Sequence, residues 1–220
     1  MLLKRKKVLI LEKAFVLEKR AYTQYVLYLL SAFAVLALGS WLTLNGVISL
    51  PFSPFILAIL SIVLMLLFIF SNGTAKTILF YVFCFGEGLF LAPLIAVYTA
   101  IDPEVLSQAL ITTTVVTTIS SHVGLRAKNL SGMGMFLLFA LLGYIGAAFL
   151  SFFIPIPFLT QIGVALFTCY IAYDLNYFKR HVQATNGLLT QEQILTHVMN
   201  QFLNILNLFI KLLRLLANRD

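Results

Sequence analysis

The sequence predicts an all-α fold: a polytopic membrane protein made almost entirely of transmembrane helices, seven in number. Composition is the first observation behind this. Of 220 residues, 61% are hydrophobic and only 10% charged, against roughly 25% charged in an average soluble domain. The second is that the apolar residues gather into seven runs of about 16 to 23 residues, close to the roughly 20 needed to cross the hydrocarbon core. None of the runs alternates apolar with polar positions as a membrane barrel requires, so helices are the structure lipid allows. The third is that the basic residues concentrate in alternate gaps between the runs. A soluble chain of this size could not hide so much apolar surface, so the lipid bilayer is its solvent.

Along the chain, residues 1–20 form a basic segment with Lys4, Arg5, Lys6, Lys7, Lys13, Lys19 and Arg20. Residues 21–220 form the membrane domain. Span one covers 22–44; it is too long for a signal-peptide core and shows no small-residue cleavage site, so it reads as a retained anchor. Span two covers 55–70 and ends at the turn Ser71-Asn72-Gly73. Span three covers 77–99 and is followed by Asp102-Pro103-Glu104. Span four, 105–125, is the most polar. Span five covers 132–153, after which Ile154-Pro155-Ile156-Pro157 breaks the chain. Span six covers 158–177. A polar loop then leads to the last run, 194–216. Cys84 and Cys169 both fall inside apolar runs and are read as small buried hydrophobes, since they form neither a metal-ligand spacing nor a disulfide framework.

Net charge is +7 and the sequence pI about 9.5. Such a balance often marks a nucleic-acid partner. Here it is topological, and no nucleic acid is expected. Besides the N-terminal segment, Lys76, Arg126, Lys128, Lys179 and Arg180 all lie in gaps that share one side, whereas the opposite gaps hold no Lys or Arg and one is acidic through Asp102 and Glu104. The positive-inside rule then places the N-terminus in the cytoplasm. Lys211, Arg214 and Arg219 fall on the far side if the last run is a span; the alternative is a helix lying on the cytoplasmic face or dipping in and returning. A true span is favoured, because the run is apolar around most of its circumference.

Function is sought at polar groups within the spans, where an ionisable side chain costs about 2.5 kcal/mol or more by insertion scales. Two carboxylates qualify: Glu87 near the middle of span three, and Asp174 about one turn from the cytoplasmic end of span six. Either can change protonation near neutral pH in such a setting, which suits a gate or an ion site. In the last run His197, Asn200, Asn204, Asn207, Lys211 and Arg214 are spaced 3, 4, 3, 4, 3. That spacing lines them along one side of a helix, facing other helices or a water-filled cavity. Helix-to-helix hydrogen bonding and a hydrophilic route are both open readings. Span four adds Thr112, Thr113, Thr114, Thr117, Thr118, Ser120, Ser121 and His122; hydroxyls here are expected to bond back to their own helix. Gly88 and Ala92 at small-xxx-small spacing, followed by Pro93, predict close helix contact and a kink. No H-E-x-x-H, G-x-S-x-G, P-loop, CxxC or G-x-G-D stands in the chain, so no enzyme and no cofactor is expected.

Several segments resemble the Bax inhibitor-1 family. Gly88-Leu89-Phe90-Leu91-Ala92-Pro93-Leu94 is similar to its G-L-x-L-x-P-L stretch. Arg126-Ala127-Lys128-Asn129-Leu130-Ser131-Gly132-Met133-Gly134 is similar to its K-x-D-L-S-x-x-G loop, with Asn129 in place of Asp. Ile171-Ala172-Tyr173-Asp174 matches its Y-D segment, and Leu203-Asn204-Ile205-Leu206-Asn207-Leu208-Phe209 resembles its L-D-I-I-N-L-F helix. The ending Asn218-Arg219-Asp220 is similar to bacterial members of the YccA type, pointing to a Gram-negative inner membrane.

The resemblance implies a seven-helix bundle with the last helix central. It also implies one of two functions: a pH-sensitive calcium leak, or restraint of an FtsH-type membrane protease in stress and quality control. In the leak members two aspartates share a proton near the cytoplasmic mouth. Asp174 matches the first, and the second position holds Asn204. An Asp–Asn pair keeps a hydrogen bond but loses the coupling of two carboxylates, and it removes one hard oxygen from a Ca²⁺ site. The expected ion path comprises Asp174, Asn204, Glu87, Asn207 and Asn200, with Asp174 and Glu87 the groups to attract a transported Ca²⁺. Lys76, Arg126, Lys128 and Lys211 are the candidate charge partners.

Overall fold

A computed structural model describes the backbone at residues 2–48, 54–151, 153–154, 156 and 158–217, with side chains described from residue 12 and, after the first gap, from residue 56. Pro155, Pro157, the Asn218-Arg219-Asp220 ending and the side chains of Lys4 to Lys7 lie outside the described residues. Seven α-helices follow in order, with no strand among the described residues: α1 (Leu2–Leu44), α2 (Pro54–Phe70), α3 (Gly73–Ile101), α4 (Val105–Arg126), α5 (Met133–Leu150), α6 (Leu159–Ala184) and α7 (Gln191–Ala217).

Each expected span corresponds to one of these helices; α5 ends at Leu150, short of the expected 153, whereas three helices run on. The basic segment, read as separate from span one, is the first part of α1, a single helix of 43 residues. Its physical reason is local: residues 2–21 contain no Gly or Pro and are rich in Leu, Lys and Glu, all good helix formers. α6 continues to Ala184, past the expected end at 177, and α3 starts at Gly73 rather than 77.

Residues 12–44 of α1, α3 and α5 are long and apolar enough to cross a membrane, with mean hydropathies of 1.9, 2.0 and 2.1. The apolar part of α2, residues 56–70, is shorter. α4, α6 and α7 carry the hydroxyls, amides and charges singled out above. Outward faces are apolar: Leu30 and Trp41 on α1, Ile62 on α2 and Phe136, Phe139 and Phe149 on α5 are each more than half exposed. Such a surface is stable only in lipid, and the chain is a membrane protein. Cys84 is buried as expected, whereas Cys169 is exposed. The expectation that both are buried is corrected at Cys169, because an apolar residue on a lipid-facing surface needs no protein around it.

The chain divides into two compact units, Met1–Ala92 with Phe178–Met199, and Pro93–Tyr177 with Asn200–Asp220; the divisions fall within α3, α6 and α7. In the first unit α1 and α3 meet through small residues. A Cβ at Gly88 would run into the Leu36 carbonyl, and one at Gly39 would lie 2.6 Å from the Phe85 carbonyl oxygen. Ser40 Oγ donates to the Gly88 carbonyl at 2.8 Å across this contact. The α6–α7 turn belongs to the same unit. Gly187 there has φ +78°, and its Cα sits against the backbone of Leu17 and Glu18, where only glycine fits. Gly73 N donates to Glu192 Oε1 at 2.5 Å and Gln191 Nε2 to Thr77 Oγ1 at 3.1 Å, tying α7 to the start of α3.

In the second unit α4 and α6 approach through Gly124, whose missing Cβ makes room for the Ala172 carbonyl. Tyr144 of α5 lies on Gly163 of α6 and meets Phe167 edge-on at 6.1 Å. Leu208 and Leu213 of α7 have no exposed surface.

Candidate functional site

The polar centre of the second unit is built on α6 and α7. Asn204 Nδ2 donates to Asp174 Oδ2 at 2.6 Å, so the amide of α7 meets the carboxylate of α6. Asn204 is buried and Asp174 half-buried. One turn earlier on α7, Gln201 is 2% exposed, and its Oε1 has no hydrogen-bond partner among the described residues. Thr117 Oγ1 of α4 is likewise buried without one. A buried, unpaired oxygen costs roughly 1–3 kcal/mol, so each requires an account.

The segments that hold Asp174 in place can be read residue by residue. Its neighbour Tyr173 lies over Gly134, where a Cβ would come within 2.5 Å of the phenol oxygen. The second glycine of the Ser131-Gly132-Met133-Gly134 stretch is therefore space for Tyr173. Two residues on, Asn176 is 1% exposed and fixes the end of α4. Its Nδ2 donates to the carbonyls of Gly124 at 2.9 Å and Ala127 at 2.8 Å, and its Oδ1 accepts from Leu130 N at 2.9 Å. These carbonyls belong to the last turn of a helix, which the helix itself cannot satisfy. Asn129 Oδ1 accepts from Ser131 N at 2.8 Å, closing an Asx turn. Either Asn or Asp supplies that acceptor, so the change at 129 keeps the turn.

Along α7 the six polar residues differ in environment. His197 and Asn204 are buried, Asn207 and Lys211 half-buried, Asn200 and Arg214 exposed. Asn207 Nδ2 donates to the Leu203 carbonyl of its own helix at 2.8 Å. Lys211 Nζ lies 5.2 Å from the centre of the Tyr144 ring, and Arg214 Nε donates to Tyr98 Oη at 3.2 Å. Arg126, Lys128 and His122 are exposed at and near the end of α4. The α4 hydroxyls bond back to their helix at Thr113, Thr114 and Thr118.

Glu87 belongs to the first unit. Ser61 Oγ of α2 donates to its Oε1, and the pair borders a cavity of about 80 Å³ walled by Leu57, Leu60, Leu64, Phe83 and Phe90. Lys76, in the same unit, is buried with Nζ 4.7 Å from the centre of the Phe68 ring.

Sequence reasoning missed Ser61, Asn176 and Gln201, as well as the meeting of His181 with His197, whose Nδ1 and Nε2 lie 2.9 Å apart. Gln201 was within reach: it sits three residues before Asn204 and therefore on the same helix face. Asn176 carried no signal beyond being an amide near a span end.

Comparison with known proteins adds a family profile, described as "Inhibitor of apoptosis-promoting Bax1", that matches residues 18–220. A membrane protein of Streptococcus pyogenes serotype M3 is 28% identical over 155 residues, 68% of this chain and 66% of the relative. The inner membrane protein YbhL of Escherichia coli K12 is 27% identical over 155 residues, 67% of this chain and 65% of YbhL. YrjE of Lactococcus lactis is 31% identical over 147 residues, 60% of this chain and 59% of YrjE. The match thus spans 59–66% of the length of these relatives, less than two thirds.

Proposed function

We propose, for a chain that belongs to the Bax inhibitor-1 family, a cation leak across a bacterial inner membrane, by a polar path along the last helix of a seven-span bundle. The observation that carries this reading is the set of oxygens on α6 and α7: the Asp174 carboxylate held by Asn204, with the unpaired, buried Gln201 Oε1 one turn away. One carboxylate supplies the charge that attracts a cation; amide oxygens supply neutral ligands. Ca²⁺ takes 6–8 oxygens, so with one carboxylate most must come from amides, hydroxyls and water. That favours weak, passing occupancy over retention, as a leak needs. Asn207 is a further amide of this path in the proposal and Glu87, in the first unit, a further carboxylate to attract the ion; the positive-inside pattern supports a cytoplasmic N-terminus. The name of YbhL supports the inner membrane.

The test is Ca²⁺ flux into liposomes across a pH series. Asp174→Asn and Glu87→Gln should each lower the flux, and Gln201→Leu should lower it with the pair intact. Asn204→Asp should alter the pH dependence of the flux, because two carboxylates at that distance titrate as a coupled pair. Equal flux in all variants refutes the path.

A second reading is a non-conducting modulator of an FtsH-type membrane protease. The length of α1 favours it, since its 43 residues exceed the roughly 20 that cross the core and leave a basic helical arm for a partner. Removing residues 1–13 should then abolish association with the protease while the bundle stays folded, and retained association refutes this reading.

A further inference from the structure

We propose that Lys211 and Arg214 of α7, with Tyr98 of α3 and Tyr144 of α5, form a binding site for the phosphate of an anionic phospholipid headgroup. All four residues belong to the second unit. The site lies toward the C-terminal end of α7, about two turns beyond Asn204, and is independent of conduction.

Two cations here lack a counter-charge. Lys211 Nζ lies 5.2 Å from the centre of the Tyr144 ring, and Arg214 Nε donates to Tyr98 Oη at 3.2 Å. Among the described residues neither side chain has an ion-pair partner or a further hydrogen bond. A ring face attracts a cation but does not neutralise it. Asp102 and Glu104, just past the end of α3, are the acids nearest in sequence to Tyr98. Asp102 Oδ1 accepts from Glu104 N at 2.9 Å, and neither carboxylate pairs with Lys211 or Arg214. A cation on a membrane-spanning helix needs an anion or water beside it.

The four residues occupy matching positions along their helices. Tyr98 is three residues from the end of α3 and Arg214 three from the end of α7. Tyr144 is six residues from the end of α5 and Lys211 six from the end of α7. At 1.5 Å per residue these positions lie roughly 5 Å and 9 Å inside the helix ends. That is the layer where tyrosines and long basic side chains meet headgroups. Residues three apart on a helix have Cβ atoms about 5–6 Å from each other, so one phosphate is within reach of both cations. Arg214 keeps the N–H groups of its two Nη atoms, and Lys211 its ammonium protons. Tyr98 keeps its hydroxyl proton, because its oxygen accepts from Arg214. Donors alone converge here, which is the complement of an oxyanion.

The setting selects a lipid as the source of that oxyanion. Val97 and Ile101, before and after Tyr98 on α3, are each 59% exposed, and Ile145 beside Tyr144 on α5 is 56% exposed. Acyl chains are what covers such a surface. Arg214 is exposed and Lys211 half-buried, so a headgroup reaches both without the helices parting. A phospholipid lays its chains on the apolar residues and its phosphate on the donors at once, whereas soluble phosphate gains only the second contact. Lys211 and Arg214 are also the cations that depart from the positive-inside pattern of the rest of the chain. An anionic headgroup compensates them where they lie.

Trp41 is the single tryptophan of the chain, so Trp41→Phe with Ile101→Trp moves the fluorescent reporter to one turn beyond Tyr98. Nanodiscs of mixed phosphatidylglycerol and phosphatidylcholine, brominated on the acyl chains of one lipid or the other, then show which lipid lies at the site. Brominated phosphatidylglycerol should quench more strongly, with a relative affinity about fivefold or more above phosphatidylcholine, the effect of one cation beside an anionic headgroup. Lys211→Gln with Arg214→Gln should abolish the preference, and Arg214→Gln alone, at an exposed position, should lower it. Arg126→Gln with Lys128→Gln removes an exposed basic pair at the end of α4 and should leave it unchanged. Inorganic phosphate added at constant ionic strength should not reduce it. Equal quenching by the two lipids in the parent overturns the site. So does a preference that survives the double change or stands at full strength in Arg214→Gln, and so does one that is lost with Arg126 and Lys128. A preference that inorganic phosphate abolishes makes the ligand a soluble anion and overturns the lipid.

Discussion

Asn176→Ala should be among the most destabilising single changes outside the ion path. The side chain makes three hydrogen bonds at 2.8–2.9 Å, two as donor to the carbonyls of Gly124 and Ala127 and one as acceptor from Leu130 N, and it is 1% exposed. Each bond contributes about 1 kcal/mol net. Removing the amide also leaves two carbonyls and one N–H without this partner, the Gly124 carbonyl in a buried setting and the other two part-buried. The sum is about 3 kcal/mol; the average of about 0.6 kcal/mol per bond found within membranes lowers it to about 2 kcal/mol. On the scale of a 150–250-residue chain this is a fall of roughly 4–12 °C in Tm. A thiol-reactive fluorescent dye gives the assay directly. Cys84 has no exposed surface and reacts only on unfolding, provided the exposed Cys169 is first changed to Ala. Asn129→Ala is the comparison, because its bond to Ser131 N at 2.8 Å is exposed and closes a local turn; its cost should be well under that of Asn176→Ala. If the two variants melt together, the three bonds do not hold the end of α4, and the reading of this loop is wrong.

Further outcomes follow from the helix contacts. Gly124→Ala should cost about 1–3 kcal/mol, since its Cβ would meet the Ala172 carbonyl. Gly143→Ala, with nothing within 4 Å of the added carbon, should be neutral or gain up to about 1 kcal/mol from helix propensity; the same thermal assay distinguishes them. A double-mutant cycle of Lys211→Met with Tyr144→Leu should give a coupling of roughly 0.5–2 kcal/mol for the cation over the ring, and a coupling indistinguishable from zero refutes that contact.

Much of the helical framework was legible because lipid imposes a simple rule on sequence: apolar runs of fixed length, separated by charge. The positions of α2, α4 and α5 follow from it to within a few residues. The rule fails where a helix leaves lipid. Residues 2–21 look like a separate basic segment by composition, yet nothing in them stops a helix, so α1 continues through them. The same holds for α6, where Lys179, Arg180 and His181 follow the apolar run but do not end the helix. The site was legible unevenly. Asp174 and Asn204 stand out as polar residues amid apolar ones. Gln201 stands one turn away with the same polarity, but it falls outside the regular 3, 4, 3, 4, 3 spacing of the other polar residues of α7. The contacts of Asn176 and His181 depend on which helices meet, and a single sequence does not hold that information.

The length of α1 has a mechanical consequence. At 43 residues and 1.5 Å per residue the helix is roughly 65 Å long, about twice the thickness of the hydrocarbon core. With no glycine or proline between residues 2 and 38, it offers no obvious hinge. A tilt of the buried half therefore swings the outer tip through a comparable arc in the opposite sense, as with an oar in its rowlock. A rigid helical fusion grown in register from that tip would turn small reorientations of the span into displacements large enough to image.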